Sequence, residues 1–236
     1  MGKKIKLTIL IAGITSLLLI GIYLIFFSKF FIVKSVEVES NLTCVDKEGL
    51  LNAVAISGSN FFLIRSLAIE EKLKSKFTCV KSAGIIKKLP NKIFLEVRNR
   101  EPQARIFIVT NQESTPSAET AIDSFLVDEE GMLFSGNQES SLKIYSENKN
   151  KDFKKIIAVL NKIKFFGIEI MEVIVVEDIL LINSVPKINF SLDKASDMQL
   201  ASLQLILNKA KINGEAVEFI DLRFDKPVVR FAPKKK

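Results

Sequence analysis

The spacing of apolar residues along the chain changes abruptly near its start. From Leu7 to Phe27 twenty-one residues (LTILIAGITSLLLIGIYLIFF) carry no charge. At 1.5 Å of rise per residue the run covers roughly 30 Å, the thickness of a bilayer's hydrocarbon core, which predicts one transmembrane helix. Apolar side chains surround its whole circumference, unlike the stripe of a helix packed on a soluble core. Lys3, Lys4 and Lys6 precede it, which predicts a cytoplasmic N-terminus and residues 28 to 236 outside. The run is longer than the roughly 7 to 15 residues of a signal-peptide core and ends in Ile25, Phe26, Phe27, Ser28, Lys29, Phe30 without an A-x-A site, so a retained anchor is expected. Thr8, Ala12 and Ser16 share one helical face, where small residues allow close helix packing, but the spacing lacks a strict GxxxG and chance composition accounts for it.

Beyond the run, short periodic segments replace the continuous one. Val33 to Ser40 (VKSVEVES) alternates apolar and acidic positions, the period of a half-buried strand. In CVDKEGLLNAVAI, Val45, Leu50, Leu51 and Val54 form a helical stripe, with Asp46 as its cap. A break at Ser57 to Asn60 precedes a second helix, Ser66 to Lys76, with Leu67, Ile69 and Leu73 as its apolar side. Val80 to Leu89 and Lys92 to Arg100 read as strands around a tight turn at Pro90 and Asn91. The order is β-α-α-β-β, with Ile93, Leu95 and Val97 turned toward the helix pair and a free sheet edge able to pair with another chain.

The rest of the chain alternates strands and helices. Ala104 to Thr110 is a predicted strand, Asn111 to Thr120 a polar surface loop, and Phe125 to Phe134 a hairpin turned at Asp128-Glu129-Glu130-Gly131. Phe153, Ile156, Ile157, Leu160 and Ile163 recur at helical spacing between Asp152 and Phe166, and Gly167 ends that helix. Strands follow at Ile168 to Val176, Ile179 to Asn183 and Ile188 to Leu192. A helix over Ala195 to Lys211 then presents Leu200, Leu203, Leu207 and Ala210 and stops at Gly214; Val217 to Arg223 and Val228 to Phe231 close the pattern as strands. The fold class is α+β, one apolar helix followed by two domains, the second a mixed α/β unit on an extended sheet.

Charge narrows the partners. The formal net charge of +7 includes Lys3, Lys4 and Lys6 at one end and Lys234, Lys235 and Lys236 at the other, and without those six lysines about +1 remains. A near-neutral body makes no general electrostatic claim on nucleic acid. The two cysteines, Cys44 and Cys79, exclude a disulfide-rich scaffold. An oxidising exterior permits a single bridge between them, and two unpaired thiols are the other reading.

Candidate chemistry is sparse. The chain has no histidine, the commonest general base and metal ligand, and no HExxH, GxSxG or phosphate-loop pattern. S-x-x-K occurs at Ser140/Lys143, Ser146/Lys149 and Ser191/Lys194, a spacing that a Ser/Lys hydrolase could use, but none is followed by S-x-N or K-T-G and chance supplies such matches in a chain rich in both. Asp128, Glu129 and Glu130 are expected to serve turn formation and solubility rather than to hold a cation or sugar. Asp221 and Arg223 are expected to pair on one face of a strand. Asn41-Leu42-Thr43 fits a glycosylation sequon by coincidence. No catalytic residue, cofactor, metal or small-molecule substrate is expected.

Three patches carry a family resemblance. FIVKSVEVES, GSNFFLI and LPNKIFLEVRNREPQARI resemble the polypeptide-transport-associated (POTRA) domain of the bacterial cell-division proteins FtsQ and DivIB, and Pro90, Val97, Arg100, Pro102 and Ala104 match its most specific local signature. SFLVDEEGMLF resembles the strand-turn-strand that follows in that family, and FIDLRFDKPVVRF its final strands. Where the family usually has a glycine after the first strand, this chain has Glu39, Ser40 and Asn41. The resemblance implies a cytoplasmic stub (1–6), a transmembrane helix (7–27), a juxtamembrane link (28–31), a POTRA domain (32–100), an FtsQ-type β domain (101–233) and a basic tail (234–236). It implies a non-enzymatic scaffold of the division septum in the cytoplasmic membrane, with FtsB- and FtsL-like single-span proteins and membrane lipid as partners. Phe224, Val228, Val229, Arg230 and Phe231 are its implied FtsB-contacting residues. A POTRA-type polypeptide-binding or transport module is the alternative.

Overall fold

The computed structural model describes residues 2–42, 44–109 and 121–233, and the side chains among them except those of 2–7 and 25–27. Thr43 of the sequon, the segment Asn111 to Thr120, the tail Lys234 to Lys236 and the side chains of Lys3, Lys4 and Lys6 therefore lie outside the described residues. The chain divides into two compact units, Met1–Asn99 and Arg100–Lys236.

The first unit opens with helix α1 (Gly2–Phe27). Among the described residues no helix is long and apolar enough to cross a membrane. The span predicted from Leu7 to Phe27 is not borne out among them, and the side chains of Leu7 and of residues 25–27 lie outside the described residues. Strand β1 (Ser35–Ser40), helices α2 (Lys47–Val54) and α3 (Ser66–Lys76), and strands β2 (Val80–Lys88) and β3 (Lys92–Asn99) then build a β-α-α-β-β unit. β3 is central, parallel to β1 and antiparallel to β2. Asp46 caps α2 by accepting a hydrogen bond from the Gly49 N–H at 2.9 Å, as the sequence predicts. Ile93, Leu95 and Val97 are buried with Leu50, Ile69 and Leu73 from the two helices. Leu67 departs from expectation: at the first turn of α3 it is exposed rather than packed. In place of a glycine after β1, the Ser40 hydroxyl accepts from the Leu42 N–H and the Asn41 side-chain oxygen from the Asn99 N–H. Cys44 and Cys79 are joined in a disulfide that closes a loop of 35 residues.

The second unit is one nine-stranded sheet. Its strands are β4 (Ala104–Ile108), β5 (Asp123–Val127), β6 (Leu133–Phe134), β7 (Lys143–Ser146), β8 (Ile170–Val176), β9 (Ile179–Ser184), β10 (Lys187–Ser191), β11 (Val217–Asp221) and β12 (Val228–Phe231). They lie in the order β12-β11-β10-β9-β8-β7-β4-β5-β6. Helix α4 (Phe153–Phe165) connects the parallel neighbours β7 and β8, and α5 (Ser196–Asn213) connects the parallel β10 and β11. Their buried faces, Ile156, Leu160 and Ile163 with Leu200 and Leu203, share one core with Ile106, Ile144, Val173, Ile188 and Ile220 of the sheet. β7 is absent from the sequence reading. Only four residues long, it is buried at Ile144, Tyr145 and Ser146 alike, so no alternation betrays it.

The two ends of the sheet and the candidate interface

At one end of the sheet, the β5–β6 hairpin is closed by a buried ion pair. Arg100 Nη1 lies 2.5 Å from Asp128 Oδ2, with both side chains removed from solvent. The second carboxylate oxygen accepts from the backbone N–H groups of Glu130 and Met132 at 3.0 and 2.9 Å. The expected turn formation holds, and Glu129 and Glu130 are exposed as expected, but Asp128 at 1% exposure is not the solvated acid that the sequence suggests: only the fold delivers Arg100 to it. Gly131, at φ +80°, has the left-handed backbone that the turn requires. A Cβ there would also stand 2.3 Å from the Lys154 backbone nitrogen in the first turn of α4. Arg100 and the Leu-Val-Asp-x-x-Gly hairpin, two separate patches in the sequence, are thus one structural device. β6 itself is two residues long, and Phe134 is buried.

The other end is open. β12 pairs with β11 on one side only, Asp221 opposite Val228, Ile220 opposite Val229 and Phe219 opposite Arg230. The Ala232 N–H bonds to the Ala216 carbonyl at 2.8 Å, so it points toward β11. Backbone groups alternate along an antiparallel strand, and the N–H and C=O of Phe231 and Val229 therefore face outward, away from β11. Val229, across from the buried Ile220, lies on the core-facing side and is half-buried, whereas Phe231 on that side is 47% exposed. Val228 and Arg230 on the opposite face are exposed. Arg230 pairs with Glu218 at 3.1 Å and stands over the Phe219 ring at 5.5 Å.

The connection from β11 to β12 is held by the predicted pair of Asp221 and Arg223. The arrangement differs from the expectation in one respect: β11 ends at Asp221, and Arg223 reaches back from the turn. Its Nε and Nη2 contact the two carboxylate oxygens at 2.9 and 2.6 Å, and its backbone N–H adds a third bond at 3.1 Å. Burial alone raises the Asp221 carboxyl, but the hydrogen bonds and charge of Arg223, with a further hydrogen bond from Asn189, outweigh it and hold the group below the usual carboxylate range. Phe224, exposed, lies beneath the Arg223 guanidinium at 5.6 Å, and Lys194 reaches Asp225 at 2.5 Å, drawing that carboxyl downward as well. The five residues implied as a contact surface, Phe224 and Val228 to Phe231, therefore come together on one strand and the turn before it.

Two of the three serines of the S-x-x-K matches lie in structural settings. Ser146 is buried and donates to the Asn148 carbonyl, while the Ser191 backbone is clasped through both its N–H and its C=O by the buried Gln199 of α5. Sequence reasoning missed Gln199, a polar side chain on an otherwise apolar helical face. Among the described residues no group of three or more acidic or cysteine side chains is arranged to hold a metal ion.

Residues 31–100 match the family model of the POTRA domain, FtsQ-type. The chain carries an FtsQ-type POTRA domain. The match covers the first unit beyond α1 and supports membership of the FtsQ/DivIB family, as the motifs imply. No curated protein matches the chain. Its FtsQ-type POTRA domain supports a role as a scaffold in cell division, and such domains are in general non-catalytic.

Proposed function

We propose that this protein is a non-enzymatic scaffold of bacterial cell division. α1 anchors it in the cytoplasmic membrane with the N-terminus inside, and the two units work outside at the septum, where they bind FtsB- and FtsL-like single-span proteins and link them to cell-wall synthesis. The anchor is supported by a backbone helix of 26 residues with no charge from Leu7 to Phe27. The observation that carries the partner reading is β12, a four-residue edge strand with outward backbone groups at Val229 and Phe231 and exposed side chains on both faces. An incoming strand can satisfy those groups while side chains beside Val229 and Phe231 set specificity. Confinement to the membrane reduces the search for other anchored partners to two dimensions.

Val229→Pro tests this directly. Proline deletes an outward donor and leaves the bonds toward β11 in place. Co-purification of an FtsB-like partner with the full chain is expected to fall about ten-fold or more, the effect of losing well over 1 kcal/mol of binding, with the melting temperature little changed. Unchanged co-purification would refute the edge-strand reading. An N-terminal fluorescent fusion is expected to form a mid-cell band, and uniform membrane fluorescence would count against the septal role.

A further inference from the structure

The first residues after α1 form an aromatic surface that the partner reading does not use. Lys29–Phe31 make a short 3-10 turn, with the Ser28 hydroxyl accepting from the Phe30 N–H at 3.1 Å. The chain then pairs with the loop between α2 and α3: Val33 N–H to the Ser59 carbonyl, Gly58 N–H to the Val33 carbonyl, and Phe61 N–H to the Phe31 carbonyl, at 2.8 to 3.0 Å. Asn60 fixes that loop, its side-chain oxygen accepting from the Phe62 N–H at 2.8 Å and its carbonyl from the Leu63 N–H at 3.1 Å. The turn buries Phe61 and holds Phe62 and Leu63 outward, 43% and 63% exposed, beside Phe30 at 61%. Edge-to-face ring contacts run from Phe30 to Phe31, Phe31 to Phe62 and Phe62 to Phe61, with centroids 5.0 to 5.4 Å apart. These side chains are therefore presented by a hydrogen-bonded turn and mutually supported rings.

The charges around them have one sign. Residues 28–36 and 55–69 contain Lys29, Lys34 and Arg65 and no carboxylate, although the chain without its six terminal lysines is nearly balanced in charge. Apolar rings with cations close by in the chain suit the interface of a bilayer with anionic headgroups: rings settle at headgroup depth, and lysine and arginine meet lipid phosphates. We propose that the POTRA domain rests on the outer leaflet through Phe30, Phe62 and Leu63, with Lys29, Lys34 and Arg65 against anionic headgroups. This rests on the reading of α1 as a membrane span. The bilayer is the occupant because the patch begins three residues beyond the end of that helix, in a turn whose first residue, Ser28, donates its N–H to the Leu24 carbonyl of α1 at 2.9 Å.

The chain contains no tryptophan, so single tryptophans report cleanly. The full chain carrying Phe62→Trp is placed in vesicles of phosphatidylethanolamine and phosphatidylglycerol whose acyl chains are brominated near the headgroup. Its emission is expected to fall about two-fold, as for a ring at the membrane interface. In parallel vesicles brominated near the acyl-chain ends, Leu17→Trp, at the middle of α1, is expected to be quenched, and Phe165→Trp, on the exposed end of α4, is expected to be unaffected in either. If Leu17→Trp is quenched and Phe62→Trp is not, the anchor stands and the docking proposal fails. A blue-shifted but unquenched Phe62→Trp overturns it in favour of a protein cover such as a second copy. If Leu17→Trp is unquenched, the anchor reading itself fails. Adding Lys29→Gln, Lys34→Gln and Arg65→Gln to Phe62→Trp is expected to reduce its quenching in phosphatidylglycerol vesicles, and unchanged quenching would overturn the headgroup contacts.

Discussion

The two ends of the nine-stranded sheet solve the same problem in opposite ways. Every open sheet ends in strands with unpaired backbone groups, an invitation to another chain. At the β6 end the invitation is withdrawn: the strand is two residues long, Phe134 is buried, and the hairpin is fastened to Arg100 and α4. The β12 end keeps a longer strand exposed on both faces, with Arg230 as a charge on its surface and an ion-paired turn before it. The difference teaches that edge exposure in this molecule is selective, closed at β6 and open at β12, where the proposed partner would add its strand.

The contrast can be broken most severely at the closed end. Asp128→Ala leaves the buried Arg100 with the longer contact to the exposed Glu130 carboxylate at 3.5 Å in place of its closest partner, and is expected to destabilise the second unit by about 3 kcal/mol in a denaturant titration. A loss below about 1 kcal/mol, the scale of a surface pair, would show that the hairpin is not held this way. Gly131→Ala combines a left-handed backbone with a Cβ against Lys154, and a cost of about 2–4 kcal/mol is expected by the same titration. Stability unaltered by this change would mean that the hairpin can move away from α4 at no cost.

At the open end the expected effects on stability are smaller and of another kind. Asp221 is held below its unfolded pKa of about 3.9, so its stabilising contribution is complete above that pH and is lost as pH falls through the folded value. Asp221→Asn should therefore be less stable than the parent at pH 7, with the gap narrowing below about pH 4 when both are followed by circular dichroism. A gap constant with pH would assign the loss to packing alone. Arg230→Ala removes an exposed pair with Glu218 and is expected to shift stability by no more than about 0.5 kcal/mol. Slower capture of the partner without a change in melting would place Arg230 at the interface, and an equal rate would remove it from the surface.

Much of this was legible in the residues. The two helices of the POTRA domain follow from the stripe at Leu50 and Val54, the Asp46 cap and the Ile69–Leu73 spacing, because helical periodicity and capping are local. α4 and α5 are legible for the same reason, and the final strand is read with its observed bounds, Val228 to Phe231. The misses have physical causes. β7 is hidden because a short strand buried on both faces shows no alternation, and Leu67 sits at helical spacing without a neighbour to cover it. Asp128 looked solvated because its partner is 28 residues away in the chain.

By itself the sequence determined the local periods: the uncharged run from Leu7 to Phe27, the capped helices, the glycines at turns and the motifs that carry the FtsQ-type resemblance. These depend on neighbours a few residues apart, so the chain states them directly. Only the tertiary structure decided that Arg100 and Asp128 form one buried pair, that β12 is an edge with the backbone groups of Val229 and Phe231 facing outward, and that Phe31 and Phe62 meet beside the end of α1. Each joins residues distant in sequence, and strand order and burial are properties of the packed chain that no local pattern encodes.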